Sequence, residues 1–312
     1  MEPRGLARGA FPSSRPISPD PEHPPTGSSL LPHSEVPLKL LFLGDVVGTP
    51  GRRVLAQCLP SIISAWSIDL VVCNAENSAG GSGLTPKCHR ELLAAGVDAI
   101  TMGDHIYRRA EIFPLLEAPN SSGICRPANL PSEAPGAEFL LVPAPDGTLV
   151  GVFTLLGRIF TKPVDCPFRA ADRVLERILP ITPRIVVDFH AEATSEKQLM
   201  GRYLDGRVSA VLGTHTHVAT ADEQILPGGT AYQTDVGMTG PHDSIIGRRI
   251  DQVLATTLSH VPRHFDVATG DPRIHGAVVT IHQDTGRALT IERLAITPAN
   301  LAEISLTQLA QF

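Results

Sequence analysis

The sequence predicts an α/β fold built as a layered sandwich of sheets and helices, and three observations carry that reading. From Leu38 onward, short apolar runs rich in β-branched residues alternate with stretches of helical spacing. Two pairs of such runs flank turn triplets, Pro145-Asp146-Gly147 and Asp284-Thr285-Gly286, and read as hairpins. Several runs end on acids, amides or histidines, and strand ends are where α/β folds gather ligands. Alternation with added hairpins fits either an α/β/α or a four-layer arrangement.

In chain order, Leu38–Leu43 reads as a first buried strand. Arg52–Trp66 reads as a helix, with Pro50 near its start. Leu70–Asn74 is a second strand. Pro86–Ala95 is a helix that Gly96 ends. Val97–Met102 is a third strand, and Ala110–Glu117 a short helix. Ala137–Val142 and Leu149–Leu155 form the first hairpin. Arg169–Leu179 is a helix, Arg184–Phe189 a strand, Ser195–Leu204 a helix, and Val208–Leu212 a strand. Ile250–Leu258 is helical, and Ile274–His282 and Ala288–Ile296 form the last hairpin.

The chain has 312 residues, 42% of them hydrophobic, enough to bury one large core. No linker or internal repeat follows residue 37, so a single domain over 38–312 is expected. Residues 1–37 differ: they are rich in Pro, Ser and Gly, lack periodicity, and read as a disordered tail without a signal-peptide core. The net charge of −6 and the absence of a basic stripe argue against an extended nucleic-acid partner. No apolar run is long enough to cross a membrane. The five cysteines are scattered and form no C-x-x-C pair, which points to reduced thiols and a cytoplasmic protein.

The most informative segment is Gly213-Thr214-His215-Thr216-His217, directly after Val208–Leu212. Two histidines one residue apart at a strand end point to the same side and reach metal ions held close together. Gly44-Asp45, Asn74-Ala75-Glu76-Asn77, Gly103-Asp104-His105 and Asp188-Phe189-His190 follow other apolar runs and supply further donors. A mixed Asp/Glu/Asn/His set fits two metal ions about 3.5–4 Å apart. His89, His242, His260, His264, His275 and His282 have no acid-lined strand end and read as surface or satisfied core residues. The stretch Ala79-Gly80-Gly81-Ser82-Gly83 lacks the Lys-Ser/Thr of a P-loop and reads as a flexible loop near the site.

In combination these motifs resemble the calcineurin-like metallophosphoesterases, and within them the bacterial YmdB-like phosphodiesterases. Arg126-Pro127-Ala128-Asn129, the run from Asp188 to Lys197, and Thr234-Asp235-Val236-Gly237-Met238-Thr239-Gly240-Pro241 complete the pattern. The last two runs separate this family from other metallophosphoesterases. The resemblance implies a layered α/β/β/α sandwich and two divalent or mixed-valence metal ions, iron or manganese first, with zinc and nickel also accepted by such ligands. Asp45, Asn77 and His217 would hold one ion, and Asp104, His190 and His215 the other, with Glu76 bridging. His105 would face the scissile phosphate as general acid. Arg126 and Asn129 would border the pocket. The implied reaction is hydrolysis of a small phosphodiester, of the 2′,3′- or 3′,5′-cyclic AMP kind, by a metal-bridging hydroxide. The resemblance also allows a homo-oligomer, although no apolar stripe in the sequence marks an interface.

Two departures stand out. The family pattern has Asn at position 104, and the extra carboxylate here would neutralise the centre by one charge, tighten metal binding and raise the pH optimum. Ile106 stands where many phosphatases carry an acid after the histidine, so another group must orient His105. Asp104 also keeps open a regulatory protein that binds a nucleotide or RNA and turns it over weakly or not at all. A barrel amidohydrolase is disfavoured, because its His-x-His follows the first strand, whereas here it comes late.

Overall fold

The computed structural model describes residues 37–118 and 122–301. The tail expected before residue 37 lies outside the described residues.

The first sheet is built on β1 (Leu38–Leu43), β3 (Leu70–Asn74), β4 (Ala99–Thr101) and β5 (Ile124–Cys125), all parallel. The long β13 (Gly270–Ile281) pairs antiparallel with the other edge of β1 and carries β14 (Ala288–Ile296). It also pairs with β12 (Met238–Asp243), which lies beside the two-residue β2 (Asp45–Val46). The second sheet runs in the order β10 (Gln224–Ile225), β11 (Ala231–Gln233), β9 (Ala210–Thr214), β8 (Ile185–His190), β7 (Leu149–Leu156) and β6 (Phe139–Pro143). The first hairpin forms as expected: β6 and β7 pair antiparallel around the Pro145-Asp146-Gly147 turn.

Three apolar clusters show how the layers stack. Because strand side chains alternate between faces, β1 splits its residues. Leu41 and Leu43 pack outward with Val54, Leu55, Leu59 and Ile62 of helix α1 (Gly48–Trp66). Leu38, Leu40 and Phe42 pack inward with Val150, Val152, Val186 and Leu212 of the second sheet. The far face of that sheet is covered by α4 (Pro167–Ile178) and α5 (Thr194–Leu204), through Val174, Leu175, Met200 and Leu204. The order is therefore helices, sheet, sheet, helices. The four-layer alternative holds over α/β/α.

Local signals explain the helix ends. In α2 (Pro86–Ala95), the Thr85 side chain accepts from the Cys88 amide, and Gly96 closes the helix in left-handed geometry at φ 108°. Helix α1 starts four residues before the expected Arg52, because Pro50 needs no amide partner in a first turn. The segment expected as one short helix, 110–117, is a 3-10 turn (Ala110–Ile112) running into a single turn, α3 (Phe113–Leu116). Helix α6 (Ile250–Ser259) differs from the others in burying none of its residues. It exposes Ile250, Leu254 and Leu258, an apolar stripe that was not recognised in the sequence. Among the described residues, no helix is long and apolar enough to cross a membrane.

Candidate metal centre

All the segments bearing candidate ligands leave the C-terminal ends of parallel strands, and the two sheets bring those ends together. Asp45 follows β1, Glu76 and Asn77 follow β3, and Asp104 and His105 follow β4. From the second sheet, His190 ends β8, and His215 and His217 follow β9. The seven predicted ligands thus come from two sheets onto one seam.

One ligand atom from each of Glu76, Asp104, His190 and His215 lies within 4.8 Å of the others. Glu76 Oε1 is 3.2 Å from His190 Nε2. His190 Nε2 and His215 Nδ1 face each other at 3.1 Å. Asp104 Oδ1 is buried without a hydrogen-bond partner, 3.6 Å from His190 Nε2 and 4.0 Å from His215 Nδ1. Those gaps are too long for hydrogen bonds, whereas lone pairs converging on a common point suit a cation. A second group adjoins it: Asn77 Nδ2 is 3.3 Å from Asp45 Oδ1 and 3.2 Å from His217 Nε2, and 3.4 Å from Glu76 Oε1. Glu76 therefore stands between the two groups. At Gly103 a methyl group would collide with Glu76 Oε2 and with the His190 ring, so only glycine lets β4 approach this closely. The donor set fits a pair of first-row metal ions.

The carboxylates and imidazoles of the cluster shift one another's pKa values. Burial pushes the Glu76 carboxyl up, but His190 and His105 outweigh it and hold it well below the usual carboxylate range. Burial likewise opposes the charge on Asp45, and His217 reverses the balance, so its pKa falls. Burial disfavours a charged His190, yet Glu76, Asp104 and Asp45 raise its pKa well above the ordinary value. His215 moves the other way, lowered by burial and by the charge on His190.

Beneath the candidate ligands lies a buried network not assigned from the sequence. Asp188 Oδ1 accepts from Thr214 Oγ1 at 2.6 Å, and Thr214 Oγ1 lies 2.9 Å from His190 Nδ1. Asp188 Oδ2 accepts from Thr101 Oγ1 and Asn74 Nδ2. Burial raises the Asp188 pKa to about 6, against the pull of His190 and its three donors. With Thr214 donating to Asp188, its oxygen accepts from His190 Nδ1, which leaves Nε2 free to face the ligand cluster. The signal was present in the sequence: residues two apart on a strand share a face, so Asp188 lies below His190. Glu192, also unassigned, lies with Oε2 3.2 Å from His215 Nε2, on the side away from the cluster.

His105 sits at the edge of the site, about a quarter exposed. Its Nδ1 is 3.0 Å from Asn77 Oδ1 and 3.2 Å from Glu76 Oε1. These groups fill the orienting role left open by Ile106. Arg126 and Asn129, expected to border the pocket, are spent on the chain itself. Arg126 donates to the carbonyls of Gly136, Pro127 and Leu130 and lies 3.4 Å from Glu138 Oε1. Asn129 donates to the carbonyls of Leu156 and Asp165 and accepts from the Leu156 amide. Both side chains are buried and have taken their hydrogen bonds from loop backbone, so they brace loops. Of the histidines set aside from the sequence, His89 is a satisfied core residue bonded to the Ser122 carbonyl.

The chain is 45% identical over 260 residues to the 2′,3′-cyclic-nucleotide 2′-phosphodiesterase of Bacillus subtilis, covering 83% of this chain and 97% of that protein. A crystal structure of a Thermus thermophilus protein of undescribed function superposes with TM-score 0.78 at 43% identity, over 83% of this chain and 99% of that one. A phosphatase structure from Mycoplasma pneumoniae superposes with TM-score 0.77 at 33% identity, over 85% and 96% of the two chains. The sequence profile described as YmdB-like protein matches residues 41–294, and the chain belongs to that family.

Proposed function

We propose that this protein is a dinuclear metal-dependent phosphodiesterase acting on small phosphodiesters, with 2′,3′-cyclic nucleotides the first class to test. The observation that carries the reading is the convergence of Glu76, Asp104, His190 and His215 beside Asp45, Asn77 and His217. The name of the Bacillus subtilis relative supports the substrate class. When bound, two ions would polarise the phosphoryl oxygens and supply a water of lowered pKa. The protein's own groups do the rest.

His105 is the proposed general acid. Glu76 Oε1, 3.2 Å from Nδ1, holds the Nδ1–H, so the doubly protonated ring carries on Nε2 the proton given to the leaving oxygen and returns to neutral imidazole. Asp104 brings a third carboxylate to the centre beside Asp45 and Glu76, so two divalent ions keep one unit of positive charge rather than two. A diester carries one negative charge and suits such a site better than a monoester dianion does. The same neutralisation supports a second reading, a binding protein of weak turnover.

The deciding experiment is hydrolysis of bis(p-nitrophenyl) phosphate by metal-stripped protein, before and after reloading with Mn²⁺. Turnover that requires metal, followed by turnover of 2′,3′-cyclic AMP, is the expected result. No turnover with Mn, Fe, Zn or Ni in a folded, metal-loaded protein would move the reading to a binding role.

A further inference from the structure

Two sequence runs distinguish this family pattern, Asp188 to Lys197 and Thr234 to Pro241, and the site described above uses little of either beyond Asp188 and His190. They meet in one buried ion pair. Lys197 Nζ lies 2.6 Å from Asp235 Oδ2, and both side chains are 1% exposed. Neither residue is among the ligands.

We propose that Lys197 and Asp235 are a positioning pair that sets the spacing of the two ion-binding groups, an inference that rests on the metal-dependent reading above. The argument starts from the turn that carries His215 and His217. Both histidines have left-handed backbone, at φ 94° and 66°, a region that residues other than glycine avoid. Such a turn persists only when its surroundings over-determine it. Thr216, between them, gives both its amide (3.2 Å) and its hydroxyl (2.7 Å) to Asp235 Oδ2, the same oxygen that Lys197 holds. The other oxygen, Oδ1, accepts the Gly237 amide at 2.8 Å. The Gly237 carbonyl in turn packs against Gly44, where a Cβ has no room, and Met238 pairs with Asp45. One carboxylate therefore ties the His215/His217 turn to the strand that aligns Asp45.

Lys197 reaches this point from α5 beneath Gly213. A Cβ there would collide with the Thr234 carbonyl and come within 3.1 Å of Lys197 Cδ. A buried pair of opposite charges is no better for stability than apolar residues of similar volume, because desolvation offsets the attraction. What an apolar pair lacks is a carboxylate able to accept three hydrogen bonds on two oxygens while its charge is neutralised from below.

The test is the double variant Lys197→Met/Asp235→Asn, which leaves no unpaired buried charge. The amide nitrogen it introduces cannot accept, so one set of turn bonds is lost. Three quantities are read: the melting temperature of metal-stripped protein, the Mn²⁺ dissociation constant by chelator competition, and the Mn²⁺ EPR spectrum. The expected result is a nearly unchanged melt, Mn²⁺ affinity weaker by about 10–100-fold, and a spectrum of isolated ions in place of a coupled pair. Wild-type affinity and a coupled spectrum in the double variant would overturn the proposal. If that variant does not fold, Thr216→Val, at a part-exposed position, removes one bond of the same turn. It should weaken Mn²⁺ binding, and unchanged binding there also overturns the inference. A wild-type protein that binds no Mn²⁺ would instead overturn the metal reading on which the inference stands.

Discussion

His105 and Asp104 are neighbours in sequence with separable duties, and single substitutions should tell them apart. His105→Ala should lower kcat by about 10²–10⁴-fold, the usual worth of a general acid. It should leave metal content at the wild-type level, which elemental analysis of the purified variant checks. Asp104→Asn should weaken metal retention and shift the acidic limb of the pH–rate profile to lower pH, because one negative charge leaves the centre. An unchanged profile and metal content would mean that Asp104 does not ligate. His275, whose carbonyl accepts the Gly44 amide next to Asp45, should make stability pH-sensitive. Burial, with His242, Arg273 and Arg293 adding to it, pushes its pKa down to about 4. Between that value and the unfolded value of about 6.5, the unfolded chain binds a proton that the native one does not. Stability therefore falls as pH drops through this window. His275→Gln should shrink the acid-side loss of melting temperature between pH 6.5 and 4. The candidate ligands were legible in the sequence because each follows an apolar run. Thr214 and Asp235 were not assigned, because a group that touches only a neighbouring side chain has no residue type or spacing of its own, whereas Asp188 had a signal in its two-residue spacing from His190.

At the level of elements, legibility followed length. Leu38–Leu43, Leu70–Asn74, Pro86–Ala95 and Ala288–Ile296 stand where pattern and turn chemistry put them. The strands Asp45–Val46, Ile124–Cys125, Gln224–Ile225 and Ala231–Gln233 are two or three residues long, too short to show a period. Met238–Asp243 was missed for another reason: it carries Gly240, Pro241 and His242, and only pairing with β13 and β2 makes it a strand. Helix α6 was anticipated, but its setting was not. A ten-residue helix with no buried side chain is held mainly by its own hydrogen bonds and by two between Gln252 and Asp266. Amide exchange should be fastest there among the described helices, with α1 and α5 protected far longer. Protection of α6 equal to that of α1 would show that something covers its Ile250–Leu254–Leu258 stripe.

For the molecule as a whole, the site is a seam. Asp45, Glu76, Asn77 and Asp104 belong to one sheet, and His190, His215 and His217 to the other. Ions held there bind only the folded arrangement. At a free concentration of 100 times Kd they would add about 2.7 kcal/mol for each site. For a domain of this size each kcal/mol is worth about 2–4 °C. Chelation should therefore lower the melting temperature by about 5–20 °C, and Mn²⁺ should restore it. A melt indifferent to chelator would contradict ligation from both sheets.

The pairing of β1 with β13, Leu38 against Ile281 and Leu43 against Gly276, bears on how the protein comes to exist at all. Synthesis delivers Leu38–Leu43 long before Gly270–Ile281. Until then β1 can pair with β3 on one side while its other edge stays open. Asp45 follows directly from β1, and its alignment with Met238 waits for late-made chain as well. A ribosome-bound fragment ending before Met238 therefore carries all seven candidate ligands without the strands that align Asp45. Because non-local pairings close slowly, the pairing with β13 governs how long an apolar strand edge stays open to other chains.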